Sequence, residues 1–237
     1  MRLTVLGCCC SKPATATATA TFSFPKSPTN PNPSNRLPAR STSVATAGTE
    51  ASDEPSSVSL PLLRRRLILL RHAESTFVGS RVKDHERPLS KPGRRDAMSV
   101  AHKLEQMGWI PEVILSSDAT RTKETLQILQ ETAIGFSEAE VYFIPSFYSV
   151  AAMDGQTAEH LQSAICEYSR DESLTVMCMG HNRGWEEAAS MFSGASVELK
   201  TCNAALLEAA GKSWEEAFST AGLGGWKLHG IVKPDSL

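Results

Sequence analysis

A short apolar run that leads directly into chemically active side chains is the feature that most constrains the fold of this chain. Residues 67–70 are four consecutive apolar residues between arginines. This run is too short for a helix and is typical of a strand buried on both faces. In open α/β sheets the carboxyl ends of the strands border the crevice that binds ligands. Arg71 and His72 stand at that end of the predicted strand.

This pair of residues is suited to phosphate chemistry. The guanidinium of Arg71 can hold two phosphate oxygens at once. The imidazole of His72 can act as a nucleophile or a proton carrier near neutral pH. The alternative for these two residues alone is an ordinary strand with a polar end.

The rest of the chain body alternates short apolar runs with helical patterns. The pattern predicts buried strands at 113–116, 141–144, 174–179 and 203–209, and an alternating edge strand at 226–232. It predicts helices at 90–108, 118–132, 157–169 and 184–192, a short helix or turn at 214–218, and a loop at 145–156. This order is typical of an α/β protein, in which helices cover both faces of a mostly parallel sheet to give a three-layer α/β/α sandwich.

Two further polar residues are predicted at the same edge of the sheet. Arg121 falls in the first turn of a helix that residues 116–118 are expected to cap. A cation there opposes the helix dipole, which a bound anion would compensate. The alternative is an exposed arginine paired with Asp118 or Glu124. His181 follows the strand at 174–179, and right-handed crossovers should bring it to the side of the sheet that carries His72.

The first part of the chain has a different composition. No acidic residue precedes Glu50, and serine, threonine, alanine and proline dominate. We expect residues 1–59 to be a disordered transit peptide and linker, and residues 60–237 to form the folded domain. The few arginines favour import into the chloroplast over the mitochondrion. The alternatives are a disordered tail without a targeting role, or acylation at the cysteine cluster of residues 8–10.

Composition excludes several classes of protein. The formal net charge of −2 for 237 residues argues against a nucleic-acid partner. No apolar run approaches the roughly 20 residues of a membrane-spanning helix, so no membrane partner is expected. The six cysteines show neither zinc-type spacing nor a disulfide pattern. We therefore expect no metal and no cofactor.

Four segments of the chain, in order, resemble the histidine phosphatase superfamily, which includes the phosphoglycerate mutases. Residues 71–74 read Arg-His-Ala-Glu, where the family has Arg-His-Gly-Glu. Similar family segments correspond to residues 87–94, 116–125 and 180–182, and the Gly-His-Asn start of the last is similar to the compact SixA-type phosphohistidine phosphatases. The resemblance covers roughly residues 66–232 and implies a phosphoglycerate mutase-like fold.

The resemblance also implies roles for individual residues. His72 would be the nucleophile that forms a covalent phosphohistidine. Arg71, Arg121 and His181 would surround the transferring phosphoryl group, and Asn182 would help to bind the substrate. The substrate would be a phosphorylated small molecule or a phosphohistidine protein, hydrolysed without a metal.

The chain departs from the larger family members at the proton donor. No acidic residue matches the family position, and Glu74, Asp154 and Glu159 are the possible donors, or there is none. The segment between Arg121 and His181 is too short for the extra helical subdomain of acid phosphatases. Two other functions stay open: a mutase-like phosphosugar enzyme, and a non-catalytic module that binds phosphoproteins.

Overall fold

The structure is a computed structural model that describes residues 63–76 and 82–235. The predicted transit peptide and linker at residues 1–59 lie outside the described residues.

One six-stranded sheet forms the centre of the described part of the chain. Its spatial order is β3-β2-β4-β1-β5-β6. The strands are β1 (Arg64–Arg71), β2 (Val113–Ser116), β3 (Glu140–Phe143), β4 (Thr175–Gly180), β5 (Ala204–Ala210) and β6 (Lys227–Val232). Strand β6 lies at an edge, in agreement with its alternating sequence.

Most of the sheet is parallel. Strands β1 and β4, β4 and β2, and β2 and β3 pair in parallel, whereas β5 is antiparallel to both β1 and β6. The mostly parallel α/β sandwich predicted from the sequence is therefore confirmed.

The apolar run at residues 67–70 is the middle of this sheet. All four of its side chains are fully buried. Because successive side chains of a strand point to opposite faces, Leu67 and Leu69 join one hydrophobic cluster and Ile68 and Leu70 join the other. The apolar run ends at Arg71, which is only partly buried, and His72 follows it.

Helices cover both faces. One cluster packs beneath α1 (Lys91–Gln106), α2 (Thr120–Thr132) and α3 (Ile134–Ser137). The other includes residues of α4 (Ser146–Val150), α5 (Thr157–Tyr168), α6 (Gly184–Ser193) and α7 (Trp214–Ala221). Helix α1 begins after Ser90, whose hydroxyl accepts a hydrogen bond from the backbone N–H of Gly93 at 3.0 Å, as predicted for an N-cap.

Two local predictions were wrong. The segment 145–156, predicted as a loop, contains the helix α4. Its five residues are too few to show a helical period, and the helix is held by packing of Phe147 against Trp185, with ring centroids 5.2 Å apart. The N-cap of α2 is Ala119, whose side chain cannot cap the helix. The hydroxyl of Ser117, two residues earlier, accepts from the Ala119 N–H at 3.3 Å and also contacts His181.

Candidate active site

Two imidazoles and two guanidiniums meet at the carboxyl edge of the sheet. The ring centroids of His72 and His181 lie 5.1 Å apart. Arg121 Nε lies 3.1 Å from His72 Nε2 and donates to it. Arg71 is adjacent in sequence, and its charge acts on both His72 and Arg121. The structure thus brings together the four residues that the sequence placed at the ends of β1, β2 and β4.

The hydrogen bonds of His72 define its tautomer. Its Nδ1 lies 2.7 Å from the carbonyl oxygen of Ala73, which can only accept, so Nδ1 carries the proton. The lone pair is then on Nε2, the nitrogen that faces Arg121. In this tautomer the imidazole can accept a hydrogen bond or act as a nucleophile only through Nε2.

The backbone around His72 is fixed on several sides. The N–H of His72 donates to the carbonyl of Gly180 at 3.1 Å, and its own carbonyl accepts from Cys202 at 3.0 Å. The N–H of Ala73 donates to the Thr125 hydroxyl at 3.1 Å. These bonds join β1 to β4, to α2 and to the segment before β5, so the position of the imidazole is set by four parts of the fold.

His181 contributes a second buried imidazole. Its Nε2 lies 2.8 Å from the hydroxyl of Ser117. Its Nδ1 is buried and has no hydrogen-bond partner among the described residues. Gly180 allows this placement, since a Cβ there would lie 2.3 Å from the ring of Trp185, which packs against the end of β4. A buried nitrogen without a partner is a group that a bound ligand can satisfy.

Arg121 is buried and paired, although not with the residues that the sequence suggested. Its two terminal nitrogens donate to Asp84, Nη1 to the backbone carbonyl at 2.5 Å and Nη2 to the carboxylate at 2.9 Å. Only 8% of the Arg121 side chain is exposed. Asp84 therefore replaces Asp118 and Glu124 as the partner of Arg121.

Asp84 and Tyr148 are site residues that the sequence analysis missed. The hydroxyl of Tyr148 donates to Asp84 at 2.8 Å, and this bond, with those from Arg87 and Arg121, lowers the pKa of Asp84 to about 2. The Tyr148 ring meets the ring of His181 edge-on, with centroids 5.2 Å apart. Tyr148 lies on α4, the unpredicted helix, and Asp84 lies on a short 3-10 helix (Asp84–Glu86) in the charged loop after β1.

His85, to which the sequence gave no role, borders the same region. Its Nε2 lies 2.9 Å from the carboxylate of Asp118, and its ring lies edge-on to Tyr148 at 4.9 Å. Asp118 directly follows Ser117, the partner of His181. No feature of the sequence distinguishes Asp84, His85 or Tyr148 from other polar loop residues.

Asn182 has its amide nitrogen occupied by the protein. This nitrogen donates to the Leu199 carbonyl at 2.8 Å and to Glu186 at 3.2 Å. The amide nitrogen is the part of Asn182 that could donate to a phosphate oxygen, so direct substrate binding would require it to exchange partners. In the structure it anchors the segment before β5 to α6.

The three carboxylates considered as proton donors make their contacts elsewhere. Asp154 lines a depression with Arg183, and Glu159 lines another with His160. Glu74 is exposed, and its charge acts on Asp96 of α1. The carboxylate that does touch the site is Asp84, and its lowered pKa keeps it ionised at neutral pH.

The two site histidines are neutral at physiological pH. Burial lowers the pKa of His72 to about 4; the positive charges of Arg121 and Arg71 act in the same direction, and the bond to Ala73 opposes them. Burial also lowers the pKa of His181 to about 3, with His72 and Arg121 contributing. A neutral His72 keeps Nε2 unprotonated, and in the structure its lone pair accepts the hydrogen bond from Arg121 Nε.

Within residues 63–76 and 82–235, no group of three or more His, Cys, Asp or Glu side chains could hold a metal ion. No helix in this part of the chain is long and apolar enough to cross a membrane.

The site belongs to a known class of protein. Residues 67–141 match the model of the histidine phosphatase superfamily, branch 1. A protein of Arabidopsis thaliana, "Uncharacterized protein At3g52155, chloroplastic", is 60% identical over 201 residues, which cover 84% of this chain and 92% of the relative. The chain belongs to the histidine phosphatase superfamily.

Solved structures share the fold. A protein of Agrobacterium tumefaciens assigned to the SixA phosphohistidine phosphatases matches with a TM-score of 0.55 at 22% identity, over 72% of this chain and 99% of that chain. The protein histidine phosphatase SixA complexed with tungstate matches with a TM-score of 0.55 at 16% identity, over 71% and 97%. At these identities the likeness establishes the fold, and it confirms the predicted compact SixA-type architecture.

The lowered pKa values predict a pH dependence of stability. In the unfolded state a histidine has a pKa near 6.5 and is protonated below that pH. In the folded state His72 is protonated only near pH 4 and His181 only near pH 3. The unfolded state thus binds more protons in this window, so the free energy of unfolding should fall as the pH drops from 6.5 to 4, by up to about 1.4 kcal/mol per pH unit for each histidine.

Urea denaturation across this window measures the slope, and NMR titration of the imidazole signals measures the midpoints. His181→Gln should make the slope shallower, whereas His102→Gln, at an exposed position on α1, is the control. Midpoints near 6.5 for both site histidines would contradict the prediction.

Proposed function

We propose that the protein is a phosphatase that works through a covalent phosphohistidine on His72. The observation that carries the proposal is the orientation of this imidazole. Its Nδ1 is tied to the Ala73 carbonyl, while its Nε2 lone pair faces the guanidinium of Arg121. A residue that only binds phosphate would present an N–H that donates to the anion. An unprotonated nitrogen in that place repels the anion, and it is useful only if it attacks phosphorus.

In the first step, Nε2 of His72 attacks phosphorus. The Nε2–P bond forms, the bond from phosphorus to the leaving group breaks, and the leaving group departs with the bonding electrons. Arg71 and Arg121 compensate the negative charge on the equatorial oxygens, and the unpartnered Nδ1 of His181 is available as a further contact. In the second step, water attacks phosphorus, Nε2 leaves, and inorganic phosphate is released.

The carboxylates of the site favour a leaving group that needs little protonation. Asp84, the acid that contacts Arg121, is ionised at neutral pH because its pKa is about 2. Glu74, Asp154 and Glu159 make their contacts outside the cluster of His72, Arg121 and His181. A phosphoramidate such as phosphohistidine fits these conditions, because its nitrogen leaves more readily than an alkoxide. We therefore propose phosphohistidine, on a protein or as a small molecule, as the preferred substrate.

Trapping the intermediate tests the mechanism. Incubation with a radiolabelled phosphohistidine substrate and a rapid quench should give a protein-bound phosphate that is acid-labile and alkali-stable. His72→Ala should remove the label and reduce turnover by at least about 10³-fold, since the nucleophile is lost. Arg121→Lys keeps the positive charge but removes the planar guanidinium that can donate two parallel hydrogen bonds. This substitution should lower kcat by a factor of about 10²–10³.

His102→Ala, which removes an exposed histidine, is the matched control and should keep normal turnover. Parallel assays with a phosphoserine peptide, a sugar phosphate and an aryl phosphate rank the substrates, and assays with and without a chelator test independence from metal. Normal turnover by His72→Ala would end the proposal. Phosphate binding without label or turnover would instead identify a binding module.

Asp84 should weaken the binding of anions to the site. Its carboxylate accepts from Nη2 of Arg121 and its backbone carbonyl accepts from Nη1, on the guanidinium where an incoming phosphate would also bind. Asp84→Asn keeps an oxygen for Arg121 and removes the charge, so the inhibition constant of inorganic phosphate or vanadate should fall roughly three- to tenfold.

Asp154→Asn makes the same change of charge in a different depression, beside Arg183, and should leave the inhibition constant within twofold. An equal or weaker affinity for the anion in Asp84→Asn would show that the carboxylate serves chiefly to hold Arg121 in place.

We propose the chloroplast as the location of the protein. Two observations support this: the acid-poor, hydroxyl-rich composition of residues 1–59, and the name of the 60% identical Arabidopsis relative, which describes that protein as chloroplastic. A fluorescent protein fused behind residues 1–59 should enter the chloroplasts of leaf cells, whereas a fusion to residues 60–237 should not. A mitochondrial or cytosolic signal from the first fusion would contradict the proposal.

A further inference from the structure

A large cavity lies beside the catalytic cluster at the carboxyl edge of the sheet. Its volume is about 670 Å³, which is within the range of roughly 300–1,000 Å³ usual for ligand sites. Its walls come from the start of α1, the segment before β5 and the end of β6, and they include Asp96, Glu198, Lys200, Asn203 and Lys233. None of these residues takes part in the phosphoryl transfer described above.

The chain segment that lines the cavity also contacts the strand that carries His72. The segment 199–203, which lines the cavity, is bonded directly to the catalytic strand. The carbonyl of Asn203 accepts from the N–H of Arg71 at 3.1 Å, and the N–H of Cys202 donates to the carbonyl of His72 at 3.0 Å. The segment before β5 therefore contacts the strand that carries His72 with its backbone and also forms part of the cavity wall.

The segment 196–200 has the burial pattern of a strand. Val197 and Leu199 are buried, whereas residues 196, 198 and 200 are exposed. Such alternation is typical of extended backbone, in which the N–H and C=O of one residue point to one side and those of the next residue point to the opposite side.

One side of this extended segment is fully used. The N–H and C=O of Val197 both bond to the hydroxyl of Ser190 on α6. The N–H of Leu199 donates to Glu186 of α6 at 2.8 Å, and its C=O accepts from Arg71 at 2.8 Å. These bonds fix the segment between α6 and the catalytic cluster.

The other side of the segment is open. The N–H and C=O of Glu198 point away from α6, and neither has a hydrogen-bond partner within the described residues. Glu198 lines the cavity together with residues 196 and 200 of the same segment. An extended edge with a free donor and a free acceptor is what a second strand pairs with.

We propose that the cavity binds the extended main chain of a phosphorylated protein, through β-type hydrogen bonds to the N–H and C=O of Glu198. This inference rests on the proposed function and names its substrate class as polypeptide. The lining carries both signs of charge, lysines at 200 and 233 and carboxylates at 96, 198 and 235. A site for a metabolite with several phosphates would instead be uniformly positive, so the lining favours a polypeptide.

The test compares a phosphohistidine peptide with free phosphohistidine, using the full 237-residue chain. The readout is the ratio of kcat/KM for the peptide to kcat/KM for the free amino acid. Glu198→Pro removes the backbone N–H and should lower this ratio about tenfold, the effect of one to two hydrogen bonds. Glu198→Ala removes the side chain and keeps the N–H, so it should keep the ratio of the native chain.

A second measurement does not depend on how the proline variant folds. The native chain is assayed with peptides in which single backbone amides near the phosphohistidine are replaced by esters or are N-methylated. At least one replacement should lower kcat/KM for the peptide about fivefold or more, as expected for a lost hydrogen bond. Free phosphohistidine, which has no such amides, serves as the reference substrate.

The outcomes separate the two proposals. Equal kcat/KM for the peptide and for free phosphohistidine, or no effect of any amide replacement, would refute peptide binding in the cavity. Neither result would contradict the proposed phosphatase activity. No turnover of either substrate would overturn the proposed function itself. A ratio that falls equally in Glu198→Pro and Glu198→Ala would assign recognition to the carboxylate and refute main-chain pairing.

Discussion

The hydrogen bond from His72 Nδ1 to the carbonyl of Ala73 is the interaction on which the chemistry of the site depends. It determines that the proton is on Nδ1 and that Nε2 carries the lone pair. Burial and two neighbouring guanidiniums then keep the ring neutral, because a further positive charge would be unfavourable there. The same two guanidiniums make the surroundings of Nε2 positive, which is an environment suited to an anion.

A buried guanidinium needs a partner in the absence of substrate, since an unpaired charge in the interior is costly. Asp84 supplies this partner for Arg121 from an exposed loop, and Tyr148 holds Asp84 in turn. Nearly all of Arg121 is buried, whereas about half of the Asp84 side chain is exposed. Arg121 is therefore the buried member of the pair, and Asp84 is the member that faces solvent.

The parts of this arrangement that follow the chain's local pattern could be predicted from the sequence. The run at 67–70 predicted the central strand. The positions of Arg71, His72, Arg121 and His181, each just after a predicted strand, predicted that these four residues would lie at one edge of the sheet. Asp84 and Tyr148 could not be found in this way. Their positions depend on a loop and on a five-residue helix that is held by contacts of Phe147 with distant residues. Likewise, residues 116–118 were predicted to cap α2, but its N-cap is Ala119, and the Ser117 hydroxyl contacts both the Ala119 N–H and His181.

The antiparallel strand β5 explains why the cavity adjoins the nucleophile. In the parallel part of the sheet, the carboxyl ends of β1, β2 and β4 deliver the residues that face phosphate. Because β5 runs in the opposite direction, its amino-terminal end lies at the same edge, and the segment 196–203 that precedes it crosses beside His72. Strand β6, antiparallel to β5, returns its carboxyl end to this edge and completes the cavity. The reversed direction of β5 thus brings the main chain of residues 196–203 to the edge of the sheet that carries Arg71, His72 and His181.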